Sequence, residues 1–337
     1  MSTAPSARKI FIGASAGGVH AILQIAAALP ADFPAPIFFV QHIGTHRSHL
    51  DELISLRGPN AGVMASDGEL ARAGRIYIAP PDRHMLMEGD RIRLFHGPKE
   101  HHSRPAIDPL FRSAALHCGA EAVGVVLTGM LDDGAAGLRA IKDCGGLAVV
   151  QDPDDAREPS MPLSALAAVD PDHVVPLAHM PGLLHGLALQ PVTSERRAPP
   201  EPLRREQAVA MGVDAMENLK MLGTPSTFTC PDCGGVLFDV SSRGLVRYRC
   251  HTGHAFSLRT LAHTLEQLTD AALWTSLRTM QEKESVLRRL AVAQRAAGVA
   301  ADAEREADEL AAVCEALRKL TERTPTANSY DDGPGAQ

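Results

Sequence analysis

Between residues 9 and 187 the chain alternates two hydrophobic patterns. Short runs, apolar nearly throughout, fall at residues 10–12, 37–40, 76–79, 122–127, 147–150 and 174–177. Between them, helical patterns fall over residues 19–29, 47–56, 109–117, 134–144 and 160–168, with apolar positions recurring at steps of three and four. A strand that is apolar on both sides has both faces covered, as in a parallel sheet flanked by helices. The predicted fold class is therefore α/β, a doubly wound, mostly parallel sheet. Residues 85–87 and 91–95, around Glu88-Gly89-Asp90, read as an inserted hairpin.

Beyond residue 187 the pattern changes. Residues 190–206 are rich in proline and charge and read as a stiffened linker, with one helix over residues 206–221. Residues 236–240 and 245–248 read as a second hairpin. Residues 258–320 are helical in pattern, with Leu258, Leu261, Leu265 and Leu268 on one face. Ala303, Ala307, Leu310, Cys314 and Leu317 form a heptad stripe, and residues 296–299 are the expected break between two antiparallel helices. The stripe reads as a hairpin packing on itself or on its neighbour, with a homodimer through the same helices as the alternative. The expected organisation is a first domain over residues 1–189, a linker with a short helix over 190–225, a small cysteine-bearing ribbon over 226–256, a helical hairpin over 257–323 and a disordered tail over 324–337.

Composition narrows the class. The chain has 337 residues, and an apolar share of 45% is enough for a substantial core. A net charge of −7 argues against a general nucleic-acid binder. No apolar run reaches the ~20 residues of a membrane helix, so no membrane insertion is expected. The first residues lack the apolar core of a signal peptide, and the expected location is cytoplasmic. Of six cysteines, Cys118, Cys144 and Cys314 stand singly in helical patterns, while Cys230, Cys233 and Cys250 cluster.

The chemistry sits where strands end. Gly13-Ala14-Ser15-Ala16-Gly17-Gly18 has the spacing of a nucleophile elbow, a strand turning sharply into a helix with the serine hydroxyl exposed. As a dinucleotide fingerprint it fails, because Ser15 replaces the middle glycine and the next strand ends in Gln41-His42 rather than an acid. Asp132-Asp133 follow the run 122–127. Ser15, His42 and an aspartate, each at a carboxyl end of one parallel sheet, can converge as nucleophile, base and orienting acid. On spacing alone Asp132 competes with Asp133, His46 and His49 compete with His42, and Ser15 or Asp133 could instead cap a helix. His101-His102 lie in a polar loop and read as solvated.

A second cluster pairs Cys230-Pro231-Asp232-Cys233-Gly234 with Cys250-x-x-x-His254 across the second hairpin. Two pairs of soft ligands so arranged suit a structural tetrahedral zinc, with His251 as a rival fourth ligand and a redox Cys-x-x-Cys as the alternative.

Taken together, Gly13–Gly18, Val40-Gln41-His42, Ile78-Ala79-Pro80-Pro81-Asp82-Arg83-His84, Arg104-Pro105-Ala106-Ile107-Asp108-Pro109-Leu110-Phe111, Leu127-Thr128-Gly129-Met130-Leu131-Asp132-Asp133-Gly134-Ala135 and Ser160-Met161-Pro162 resemble the chemoreceptor protein-glutamate methylesterase family, the CheB type. The resemblance covers roughly residues 8–187. It implies hydrolysis of glutamate γ-methyl esters on a methylated receptor or signalling protein, with deamidation of receptor glutamines as a further activity and no cofactor for catalysis. It maps the triad onto Ser15, His42 and Asp133, and places an oxyanion hole at the amides of Ala16 and Met130. It assigns Arg104 and Asp108 to the substrate cleft, or else to a structural ion pair. Similar cysteine-bearing extensions favour His254 over His251. Family members commonly carry a receiver domain before the esterase, and the expectation for this chain is a form without one. The expectation is constitutive activity, with the C-terminal half docking to the substrate protein from a stiff linker. The alternative is a silent methylesterase-like scaffold or sensor.

Overall fold

In β1 (Lys9–Ala14), Ile10, Ile12 and Ala14 face one side of a sheet and Phe11 the other, all fully buried. That alternation runs through a seven-stranded sheet that also holds β2 (Ile37–Gln41), β3 (Ala61–Met64), β4 (Arg75–Ile78), β7 (Ala122–Val126), β8 (Leu147–Gln151) and β9 (His173–Val175). The order is β3-β4-β2-β1-β7-β8-β9, and every neighbouring pair is parallel. On the first face lie α1 (Gly18–Ala28), α2 (Leu50–Arg57) and α6 (Met180–Leu189), packed through Ile22, Ile25, Ile54, Leu184 and Leu187. On the second lie α3 (Ile107–Cys118), α4 (Ala135–Asp143) and α5 (Ser160–Ala168), packed through Leu110, Phe111, Leu138, Ile141 and Ala165. The hairpin of β5 (His84–Glu88) and β6 (Arg91–Phe95) adds Met85, Met87 and Ile92 to that second core. The doubly wound α/β sheet follows the hydrophobic pattern. Strand β3, a short and half-exposed edge, was not legible in it.

The computed structural model describes residues 7–43, 48–192, 197–295 and 300–322. The expected helix break at 296–299, the tail at 324–337 and His46 lie outside the described residues. The chain divides into two units, Met1–Thr260 and Leu261–Gln337.

The proline-rich stretch departs from expectation. Residues 201–210 are helix α7 (Glu201–Ala210), with a proline in its first turn, where a missing N–H costs nothing. The single helix expected over 206–221 is interrupted by Gly212 at φ 75° and Asp214 at φ 42°, and resumes as α8 (Ala215–Leu222). A four-stranded antiparallel sheet follows: β10 (Thr224–Thr229), β11 (Val236–Asp239), β12 (Arg247–Cys250) and β13 (Ala255–Ser257). It is not held off on a linker but shares the first unit with the seven-stranded sheet. Glu100 accepts bonds from Arg112 of α3 at 2.6 and 3.0 Å and from Arg249 of β12 at 3.1 Å twice. Glu206 of α7 accepts from Arg249 at 3.0 Å and from Arg247 at 2.8 and 3.1 Å. Glu100, Arg112, Glu206 and Arg249 are all buried. Burial alone would raise the carboxyl pKa values, but the guanidinium charges win: Glu206 falls to about 2 and Glu100 well below the usual range.

The second unit holds most of α9 (Leu258–Gln294) and α10 (Ala301–Thr321). Ion pairs Lys283–Glu306, Arg288–Asp308 and Arg295–Glu304 join the two helices in antiparallel register. Ala291, Ala303, Ala307 and Cys314 are buried. Among the described residues no helix is long and apolar enough to cross a membrane.

Candidate active site

The strand order reverses at β1, which has β2 on one side and β7 on the other. The crevice outside the carboxyl ends of strands at such a reversal is where open α/β sheets bind ligands. Ser15 follows β1, His42 follows β2, and Asp133 lies between β7 and α4. The turn at Ser15 depends on its glycines. Gly17 sits at φ 81° and starts α1, and a Cβ on Gly13 would lie 2.3 Å from Ile107. Gln41 holds the turn from the neighbouring strand, donating from Nε2 to the carbonyls of Ser15 at 2.7 Å and His42 at 3.2 Å. Thr128 fixes the other side, its hydroxyl donating to the Ala16 carbonyl at 2.9 Å.

His42 Nε2 lies 2.7 Å from Asp133 Oδ2, and His42 Nδ1 lies 3.2 Å from Ser15 Oγ. A carboxylate only accepts, so Nε2 carries the proton and Nδ1 is left to accept from the serine hydroxyl. Asp133 is buried and also accepts the amides of Ile107 at 2.6 Å and Asp108 at 2.9 Å, the first turn of α3. Burial alone would raise its pKa. The nearby charge of His101, the bond from His42 and the Ile107 amide bring it down to about 2. Asp132 faces away: its Oδ1 accepts from Ser257 Oγ at 2.7 Å and Thr260 Oγ1 at 3.1 Å. His49 pairs with Glu52 on the exposed face of α2. Ala16 and Met130 both lie on the half-exposed rim beside Ser15, and a Cβ on Gly129 would lie 2.8 Å from Ser15 Cβ.

Two expectations need correction. Arg104 and Asp108 do not form a pair with each other. Arg104 donates to Asp82 Oδ1 from Nε at 2.8 Å and from Nη2 at 2.5 Å. Asp108 is 3% exposed and lines a cavity whose wall does not include Ser15, its oxygens accepting Gly137 N at 2.7 Å and His101 Nε2 at 3.0 Å. His101, read as solvated, has a side chain only 6% exposed, with its Nε2 3.7 Å from Asp133 Oδ1. No local pattern marks it, since its partners lie at 108, 133 and 260. A cavity of about 250 Å³ lies away from Ser15, between α3, α4, α7 and the antiparallel sheet. Ser15 and His42 sit instead at a half-exposed surface, which suits a side chain presented by another protein.

The ligand atoms of Cys230, Cys233, Cys250 and His254 all lie within 4.8 Å of one another. Cys233 Sγ and Cys250 Sγ are 3.7 Å apart, and Cys250 Sγ lies 3.5 Å from His254 Nδ1. Around a tetrahedral zinc two thiolates lie about 3.8 Å apart and a thiolate and an imidazole nitrogen about 3.6 Å, so the four residues fit that metal. His251 is exposed and its ring lies over Gly235 instead. The knuckle is tied to the loop after β6 by Asp232, 2.8 Å from His102 Nδ1.

Residues 10–184, about half of the chain, match the model of the family described as CheB methylesterase. The chain belongs to this family. A relative from Leptospira interrogans is 41% identical over 174 residues, which are 50% of this chain and 88% of that protein. A Bradyrhizobium diazoefficiens protein named protein-glutamate methylesterase/protein-glutamine glutaminase of group 3 operon is 39% identical over 183 residues. Those residues are 52% of this chain and 49% of that protein, so the chain matches about half the length of that relative. The crystal structure of the Thermotoga maritima CheB methylesterase catalytic domain superposes with a TM-score of 0.52 at 31% identity, covering 54% of this chain and 99% of that one.

Proposed function

We propose that the chain is a serine carboxyl-methylesterase that hydrolyses glutamate γ-methyl esters on a chemoreceptor-like protein, and deamidates glutamines at such sites. The observation that carries this reading is the hydrogen-bonded run Ser15–His42–Asp133 at the strand-order reversal of a CheB-family sheet. His42 Nδ1 takes the Ser15 proton as Oγ attacks the ester carbonyl, and Asp133 stabilises the imidazolium that forms. The amides of Ala16 and Met130 receive the oxyanion. His42 returns the proton to the departing methoxide, giving methanol and an acyl-serine. Water, deprotonated by His42, then releases the glutamate. With a glutamine the leaving group is ammonia. No cofactor enters these steps.

Cys230, Cys233, Cys250 and His254 would hold a structural zinc, which when bound crosslinks the knuckle to β12. All four positions are protein-filled, leaving no open site for substrate. The partner is a methylated receptor or signalling protein met in the cytoplasm. Methanol release from a methylated receptor tests the reading: wild type should release it and Ser15→Ala should not. Equal release by both would overturn it.

A further inference from the structure

We propose that His101 is a positioning residue for this esterase, a buried imidazolium wedged between Asp108, Asp133 and Thr260 that keeps Asp133 ionised and aimed at His42. The inference rests on the esterase reading above. It starts from what faces the two ring nitrogens. His101 Nδ1 lies 3.3 Å from Thr260 Oγ1, in a cluster where the Ser257 and Thr260 hydroxyls stand 2.7 and 3.1 Å from Asp132 Oδ1. On the other side of the ring, Nε2 lies 3.0 Å from Asp108 Oδ2 and 3.7 Å from Asp133 Oδ1, both acceptors. Carboxylate oxygens thus face both ring nitrogens, which suits a doubly protonated, cationic ring.

Its surroundings call for one. Asp108 and Asp133 are buried carboxylates joined through the Asp108 amide. Asp132 Oδ1 stands 4.0 Å from Nδ1. The arginines packed behind the site, Arg112, Arg247 and Arg249, are committed to Glu100 and Glu206. Buried His84 faces the same region, with Nε2 on the Pro98 carbonyl and Nδ1 accepting the Ala106 amide, an uncharged arrangement. Burial would lower the His101 pKa, but the three aspartates raise it to about 10. His101, Asp108 and Asp133 could also group around a metal ion, but their own hydrogen bonds and the amides of Ile107, Asp108 and Gly137 already occupy these oxygens. The ring is held from the antiparallel sheet, since the His101 amide donates to the Ala255 carbonyl at 2.8 Å. The C-terminal sheet thus reaches the catalytic acid through one side chain.

The test has two arms. In the full-length protein with labelled histidines, NMR should show the His101 ring doubly protonated at pH 7.5, and a neutral ring there would overturn the proposal. His101 sits at φ 51°, where asparagine is tolerated, so His101→Asn removes the charge with little backbone cost. Its kcat for a small methyl ester should fall about tenfold or more with KM nearly unchanged. The acid limb of its pH profile should move up by about one unit, because two buried carboxylates without the cation take up a proton more readily. An unmoved acid limb would overturn the proposal, whether or not kcat falls. The NMR arm needs no turnover, so an inactive wild type would count against the esterase reading alone.

Discussion

Arg249 and Glu100 meet through two hydrogen bonds of 3.1 Å, one residue on the cysteine-bearing sheet and the other beside the seven-stranded one. Both are buried, so neither charge has water to fall back on. Arg249→Met should destabilise the first unit by about 3–5 kcal/mol, the usual cost of orphaning a buried partner. Arg249→Lys should recover only part, since a point charge cannot serve two carboxylates bidentately. Denaturant unfolding followed by near-ultraviolet circular dichroism measures both.

Shortening the chain to residue 190 should impair it. A proline-stiffened tether would leave small-ester hydrolysis unchanged. The docked arrangement instead removes the bonds to Asp132 and the seat of His101, and uncovers Glu100 and Arg112. Small-ester turnover should fall about tenfold or more. A full wild-type rate in the shortened protein would show that the docking has no bearing on catalysis.

Metal removal should report on the same junction. Elemental analysis should find one zinc per chain, and Cys250→Ser should abolish it. Because Cys250 ends β12 and His254 immediately precedes β13, the two strands that contact Glu100 and His101, chelation should lower esterase activity along with order in the small sheet.

Asp133→Asn should reduce kcat by about 10⁴-fold with the fold intact, because an amide no longer fixes the proton on His42 Nε2. Asp132→Asn should do far less, as that oxygen serves Ser257 and Thr260. Kinetics on the two variants side by side separate the neighbouring acids.

Stability should have a plateau with two edges. Asp133 and Glu206 have depressed pKa values of about 2, so their contribution is full above their ordinary values near 4 and is lost as pH falls toward 2. His101 works the other way: its raised pKa gives a contribution that is full below its ordinary value of 6.5 and disappears as pH rises through about 10. Melting temperatures of the full chain should therefore peak between about pH 5 and 6.5 and fall on both sides.

The elbow was legible because its signals are local: glycines flanking a serine, after an apolar run and before a helix. His42 and the pair Asp132-Asp133 were legible because a parallel sheet gathers its strand ends, and the family resemblance alone singled out Asp133. Helix α7 was missed because prolines read as linker, although a proline in a first turn is equally a helix start. Strand β10 was missed because Thr224–Thr229 is polar and mostly exposed. His101 and Glu100 were missed because their meaning depends on residues up to 159 positions away, at 249 and 260. Pairing at that distance leaves no trace in periodicity.

Asp132 and Asp133, adjacent in the chain, are claimed by different parts of it. One is gripped by residues 257 and 260, the other by residues 42, 107 and 108. The two halves are therefore poor candidates for exchange by recombination. A crossover in the proline-rich stretch would inherit positions 100, 101, 112 and 132 from one parent and 206, 247, 249, 257 and 260 from another. Such a hybrid would work only where both parents had already settled on matching charges and hydroxyls, so these two segments should travel through inheritance as a set.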